Sequence, residues 1–330
     1  MSFIEVRNLV KHFPVRGGVL NRVVGQVQAV NGVSLNIEKG ETLGVIGESG
    51  CGKSTLGKTV IRLLEPTAGQ VIFDGVETTA LSHSELMPIR QRMQFIFQDP
   101  YSSLNPRMTA GQMLAEVIRF HRIVPSREID GYIDELLDVV QLRRDARNRY
   151  PHEFSGGQRQ RLNIARALAV KPEFIIADEP VSALDVSVQA QILNLLMDLR
   201  EQFGLTIMFI SHDLKVVEHF CDRMMVMYLG TVVERIDCDR IHSDVKHPYT
   251  QALLRSNPVN DPDERRELFI LEGEVPSPRH PPAGCPFVTR CSLAEDRCHS
   301  ERPALKPVDA GQEVSCWVVE DQLSAAGSSQ

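Results

Sequence analysis

The sequence predicts an α/β protein: a mainly parallel sheet, a helical insert and a small C-terminal appendage. Three observations predict it. Strand and helix patterns alternate from about residue 42 to 228, a glycine-rich loop joins one strand to the next helix, and the composition changes near residue 230. The chain has 330 residues, 42% hydrophobic and 24% charged, enough for one large domain with an appendage or for two domains. That balance excludes collagen-like, low-complexity and coiled-coil classes.

The elements follow in order. Phe3–Val6 and Val33–Ile37 alternate apolar and polar residues, as strands with one wet face do. Between them Val15–Val27 carries glycines and arginines and reads as a surface insertion. Thr42–Ile46 is continuously apolar, the pattern of a strand covered on both faces. After Gly47–Gly52, Thr55–Leu64 has helical spacing and stops before Glu65-Pro66. Gln70–Asp74 is a strand closed by an Asp74-Gly75 turn, and Met93–Phe97 is another. Ala110–His121 and Glu128–Val140 are amphipathic helices, so residues from about 100 to 165 form a helical insert. Gln158–Val170 is a helix that Lys171-Pro172 ends.

Phe174–Ala177 is a buried strand, and Ser187–Phe203 is a long helix with Gly204 at its stop. Thr206–Ile210, Leu214–Cys221 and Arg223–Tyr228 read as strand, helix and strand. Beyond about 230 the alternation fades, and ten of the 19 prolines lie between Pro248 and Pro307. Ser324–Gln330 reads as a frayed tail.

Charge and hydropathy exclude several functions. Net charge is −7, and residues 231–330 hold 11 basic against 17 acidic side chains. Neither part is a basic surface for phosphate backbones, so nucleic acid is not an expected partner. The longest apolar runs are a few residues, whereas a membrane span needs about 20. Glu5, Arg7 and Lys11 do not suit a signal peptide. The expectation is a cytosolic chain that reaches a membrane only through a partner.

Gly47-Glu48-Ser49-Gly50-Cys51-Gly52-Lys53-Ser54 fits G-x-x-x-x-G-K-[ST], between a predicted strand and a predicted helix. Its glycines let the backbone wrap phosphates, so that several N–H groups and the helix N-terminus face the anion. Lys53 supplies charge to the β- and γ-phosphates, Ser54 can ligate Mg²⁺, and Thr55 lies beside it. Cys51 fills a variable position, with a thiol that a helix N-terminus could activate. Strand Phe174–Ala177 runs into Asp178-Glu179-Pro180, carboxylates at the strand edge where such sheets bind ligands. Asp178 suits Mg²⁺ through its water shell, and Glu179 suits the general base for the attacking water.

Phe154-Ser155-Gly156-Gly157-Gln158-Arg159-Gln160-Arg161 resembles the signature motif of ATP-binding-cassette (ABC) ATPases, with Phe for the usual first Leu. Ser155 stands 23 residues before Asp178. Gln98 is similar to the Q-loop glutamine, Ser182-Ala183-Leu184-Asp185 to the D-loop, and Ser211-His212-Asp213 to the segment with the switch histidine. The resemblance covers about residues 3–235. It implies an ABC-type nucleotide-binding domain of the P-loop NTPase class, with a RecA-like core sheet, an antiparallel β part and an α-helical subdomain. It further implies that Ser155, Gly156, Gly157 and Gln158 close on ATP bound by a partner subunit. His212 contacts the γ-phosphate, and Gln98 links Mg²⁺ and water to the helical insert. Asp185 belongs to the nucleotide site, and Phe13 stacks on adenine from a loop after the first strand. Asp99–Thr109 is the expected groove for a coupling helix of a permease.

The chain continues past 235. His247-Pro248-Tyr249-Thr250-Gln251-Ala252-Leu253-Leu254 resembles the C-terminal motif of oligopeptide and dipeptide importer ATPases. So do Gly273–Pro278, Pro281–Cys285 and Phe287–Cys291. The resemblance implies an ATPase domain at 1–235 and an accessory domain at 236–330. It implies a second, related ATPase subunit as dimer partner, two membrane permease subunits and an extracytoplasmic peptide-binding protein. It places the chain on the cytoplasmic face of the inner membrane. Nickel or glutathione are alternative cargoes, and a soluble ABC ATPase of translation or repair is a further alternative. Cys285, Cys291, Cys298 and Cys316 cluster in a proline-rich segment with little core, where a four-thiolate staple helps folding. A [4Fe–4S] cluster, similar to what this subfamily's tail can carry, stands beside zinc and free or disulfide-forming thiols.

Overall fold

The computed structural model describes residues 2–18, 21–256, 271 and 273–327. The chain opens with strands β1 (Ile4–Gly17), β2 (Arg22–Ile37) and β3 (Thr42–Ile46), then helix α1 (Lys53–Val60). Strands β4 (Ala68–Phe73) and β5 (Val76–Glu77), helix α2 (His83–Arg92) and strand β6 (Met93–Ile96) follow. The helical insert holds α3 (Pro100–Ser103), α4 (Ala110–His121), α5 (Ile129–Val139) and α6 (Gly156–Leu168). Next come β7 (Phe174–Asp178), α7 (Val186–Phe203), β8 (Thr206–Ser211), α8 (Leu214–Phe220), β9 (Arg223–Tyr228) and β10 (Thr231–Asp237). The remainder carries α9 (Ile241–Asp244), α10 (Pro248–Ser256), α11 (Asp296–Ser300), β11 (Lys306–Asp309), β12 (Gln312–Val314) and α12 (Trp317–Gly327). Among the described residues no helix is long and apolar enough to cross a membrane.

The residues fall into two compact units: Met1–Ile4, Ile37–Thr42 and Ile72–Ile210 make the first, and Glu5–Asn36, Leu43–Val71 and Ser211–Gln330 the second. In the first unit β6, β7 and β8 pair in parallel, with Met93 opposite Phe174, Phe174 opposite Thr206 and Asp178 opposite Ile210. Every residue of β7 and β8 is buried, as their continuous apolar runs require. In the insert α4 opens on a Thr109–Gln112 capping box and buries Met113, Leu114 and Ile118, while α5 buries Ile133, Leu136 and Leu137. Arg147 ties the turn after α5 back to that helix through Asp130 at 2.5 Å and Asp134 at 3.2 Å.

In the second unit β3 pairs in parallel with β9, placing Leu43 opposite Arg223 and Ile46 opposite Val226. Antiparallel β10, β12 and β11 extend this sheet on the far side of β9. The tail is therefore part of a sheet. This corrects the expectation that alternation fades after residue 230: β11 and β12 are short and half polar, so no apolar run announces them.

Three further expectations change. Val15–Val27 is at the surface as expected, but its described residues are mostly strand: β1 and β2 run through it with far ends that are largely exposed and so lack an alternating signal. Helix α2 is additional: it buries only Leu86 and contains Pro88, leaving no stripe to read, and it is started by a Ser82–Glu85 capping box. Ser324–Gly327 belongs to α12 rather than to a frayed end, and 328–330 lie outside the described residues.

Candidate functional site

The phosphate loop lies in the second unit, between β3 and α1. Gly50 and Gly52 have φ of 80° and 106°, a region that disfavours side chains. At Gly52 a Cβ would also stand 2.0 Å from the Ala29 carbonyl oxygen. Lys53 is buried, and its ammonium donates to the carbonyls of Gly47 at 2.6 Å and Glu48 at 3.1 Å. The first turn of α1, which starts with Lys53, Ser54 and Thr55, contains no acidic residue, so no carboxylate of that turn opposes an anion.

Cys51 is buried, and burial pushes its thiol up, outweighing the nearby Lys53. The activated-thiol expectation is thereby corrected: desolvation disfavours the thiolate more than the cation favours it. Phe13 is half-buried inside β1, not in a loop after it, with the Lys11 ammonium 5.0 Å from its ring centroid. His212 follows β8 and is exposed.

The carboxylates lie in the first unit. Asp178 ends β7 and is 2% exposed. Glu179 has a left-handed φ of 44°, sparsely populated for a glutamate, and its amide donates to the Ile210 carbonyl at 2.9 Å. Gln98, two residues past β6, donates its side-chain amide to Glu179 Oε2 at 2.9 Å. These two sequence-singled residues are thus joined directly.

Ser155 caps α6: its hydroxyl accepts from the Gln158 amide at 3.3 Å, and Gln158 Oε1 accepts from the Ser155 amide at 3.1 Å. Gly156 and Gly157 form the first helical turn, against Leu184 and Val188 beyond the D-loop. Asp185 precedes α7 and makes no side-chain capping bond. A cavity of about 350 Å³ opens beside Ser155, Gly157 and Gln158, with Arg143, Arg149 and Arg161 among its lining residues.

The tail cysteines are in the second unit, and none is in a disulfide. Burial pushes the Cys285 thiol up to about 11 and also raises Cys291 and Cys316; the other thiols of the set add to the shift. The Cys285 amide donates to the Cys298 carbonyl at 2.8 Å. The four side chains therefore share one neighbourhood. Even so, among the described residues no group of three or more His, Cys, Asp or Glu is arranged to hold a metal ion. The thiols are neighbours without forming a preformed zinc or cluster site.

Sequence reasoning missed three residues around the phosphate loop. Arg290 donates to Glu48 Oε2 at 2.8 Å and to the Tyr228 hydroxyl at 3.5 Å, and the Glu48 amide donates to the Tyr249 hydroxyl at 2.9 Å. The His247–Leu254 and Phe287–Cys291 resemblances covered Tyr249 and Arg290 without giving either a role at the phosphate loop.

Comparison with known proteins decides the family. A probable peptide ABC transporter ATP-binding protein of Sinorhizobium fredii is 52% identical over 317 residues, 96% of this chain and 90% of the relative. The chain belongs to the ABC transporter ATPase family. The oligopeptide transport ATP-binding protein AppF of Bacillus subtilis is 50% identical over 96% of this chain and 97% of its own length. The ABC transporter family model matches residues 30–182, and that of the oligopeptide/dipeptide transporter C-terminal region matches 233–298.

Among solved structures, an ATP-binding cassette captured as a dimer in a post-hydrolysis state with ADP and Pi is 32% identical. It covers 71% of this chain and 98% of its own, with a TM-score of 0.63. The cbiO1 subunit of Clostridium perfringens, part of the ABC transporter complex cbiONQ, is 26% identical over 74% of this chain and 91% of its own, with a TM-score of 0.62. The fold of this ABC ATPase is accordingly the P-loop cassette.

Proposed function

We propose that this ABC ATPase is the motor subunit of a bacterial importer for dipeptides or oligopeptides. The observation that carries the cargo assignment is identity of about half, over almost the full length, to proteins named for peptide and oligopeptide transport, together with the matching C-terminal region. Residues 1–235 serve as the ATPase and 236–330 as the accessory domain. The phosphate loop, residues 47–54, and Thr55 hold the ATP phosphates, with Lys53 as the point charge. Ser54, Asp178 and Gln98 hold Mg²⁺ directly or through water, and Phe13 stacks on adenine.

Glu179 is the general base, kept in place by the Gln98 amide, and His212 meets the γ-phosphate. Ser155, Gly156, Gly157 and Gln158, with Asp185, serve the nucleotide of a second, related ATPase subunit. The solved relative captured as a dimer with ADP and Pi supports this arrangement. Two membrane permeases dock the pair to the inner face of the membrane, and a binding protein outside delivers the peptide.

Co-purification with the permeases and uptake of labelled di- and tripeptides tests the reading. Uptake should require ATP. Glu179→Gln should retain MgATP binding while turnover falls by about a hundredfold or more. Transport of nickel or glutathione but no peptide would overturn the cargo, and near-normal turnover in the variant would overturn the base.

We also propose that Cys285, Cys291, Cys298 and Cys316 are the ligands of a [4Fe–4S] cluster. Four thiols outside disulfides in one neighbourhood support this. When bound, the group would cross-link a proline-rich segment. Anaerobically purified protein should contain iron and acid-labile sulfide; colourless, iron-free protein would overturn the assignment.

A further inference from the structure

We propose that Arg290 and Tyr249 of the C-terminal segment are positioning residues for the nucleotide site, holding the phosphate loop through Glu48. The inference rests on the nucleotide-site reading above and concerns residues of the second unit alone.

Glu48, the second residue of the loop, is engaged on two sides. Toward the tail, its amide donates to Tyr249 and its carboxylate accepts from Arg290. Toward the loop, its carbonyl accepts from Lys53 Nζ at 3.1 Å and from the Cys51 amide at 3.2 Å. One residue therefore connects the tail to the side chain that carries the loop's positive charge. The contacts span 201 and 242 residues of sequence, so they are no local turn.

The tail side is built rigidly. Arg290 has a side chain only 6% exposed, so its guanidinium needs the Glu48 carboxylate. Tyr249 is fully buried, its ring centroid 4.7 Å from Tyr228 and 5.3 Å from Phe287. The His247-Pro248-Tyr249 motif gains a physical reason here. The His247 amide donates to Glu234 at 3.1 Å, and its Nδ1 accepts the Tyr249 amide at 3.1 Å. Pro248 opens α10 without an N–H to satisfy, and packing against Tyr228 and Phe287 holds the Tyr249 ring. A second strap lies nearby: the Gln28 amide donates to the Pro278 carbonyl at 3.0 Å, next to Ala29, whose carbonyl abuts Gly52.

A glycine-rich loop has high conformational entropy, and its amides bind phosphate well only when already aligned. Clamping Glu48 from outside supplies that alignment without touching ATP. The two matched family regions, 30–182 and 233–298, then act on one site.

The test uses the full-length chain and titration with a fluorescent ATP analogue and Mg²⁺. Arg290→Met should weaken binding by roughly tenfold, the scale of a lost charge-assisted hydrogen bond, and Tyr249→Phe by a few-fold. Arg290→Lys should recover part of the loss. Glu48→Gln combined with Arg290→Met should cost less than the two single changes multiplied, because no charged partner is left unpaired. In the assembled transporter the KM for ATP should rise in Arg290→Met more than kcat falls.

Wild-type affinity in both Arg290→Met and Tyr249→Phe, while Lys53→Ala loses the nucleotide, would overturn the inference and leave the nucleotide-site reading intact. Undiminished binding by Lys53→Ala would overturn both. If Arg290→Met fails to fold, Tyr249→Phe, which keeps the packed ring, decides alone.

Discussion

Gly156 and Gly157 are neighbours in the signature segment, yet they face different constraints. A Cβ at Gly157 would come within 2.5 Å of Val188 Cγ1, whereas one at Gly156 meets only the tip of Leu184 at 3.2 Å. Valine in a helix has essentially one χ1 state, so it cannot swing away; a leucine tip can. Gly157→Ala should therefore lower folding stability by about 1–3 kcal/mol, and Gly156→Ala by clearly less. Urea unfolding of both variants checks this, and equal losses would contradict it. Residues of this kind are legible in sequence because chemistry fixes type and spacing together, as in Gly47–Ser54 or Asp178-Glu179. The role of Arg290 was not legible, although Phe287–Cys291 drew notice as a run. A single arginine carries no local pattern, and its partner Glu48 stands 242 residues away.

Elements were legible where burial left a strong stripe. Thr42–Ile46, Ala110–His121 and Arg223–Tyr228 begin and end where their apolar patterns do. Exposed elements were not, as the far ends of β1 and β2 and the whole of α2 demonstrate. The link from Glu234 through His247 to α10 shows how a buried polar element makes its own pH dependence. Burial holds His247 down from 6.5 to about 3, and its Nδ1 accepts a hydrogen bond that requires the neutral ring. Between those values the unfolded chain carries a proton that the folded imidazole refuses. Stability is thus full above pH 6.5 and falls by about 1.4 kcal/mol per unit on acidification. From pH 7 to pH 5 the protein should lose about 2 kcal/mol more than His247→Asn, whose amide oxygen can still accept from Tyr249. Burial raises Glu234, which acts in the opposite direction, but it is present in both proteins and drops out of the difference. Equal losses in urea unfolding at the two pH values would refute the assignment.

For the whole molecule, the decisive proposal is that the signature segment of one chain serves the nucleotide of its partner and not its own. Ser155 and Gln158 already satisfy each other in the capping box, so the helix start is shaped before any nucleotide arrives. The proposed dimer uses that start as an anion site for the partner's ATP. Hydrolysis then depends on association, and mass action sets its rate. Far below the dissociation constant of the pair, tenfold dilution of an equimolar mixture of the two ATPase subunits should lower the specific activity about tenfold; above it the activity should level off. Glu179→Gln, expected to keep ATP without consuming it, should shift the mixture toward the assembled pair in MgATP, since nucleotide that bridges two subunits favours the assembled state. Sedimentation with and without MgATP, alongside turnover measured across a dilution series, separates the cases. Fast turnover that is independent of concentration, from a species sedimenting as a monomer, would show that one chain completes its own site, and the signature segment would then need another role.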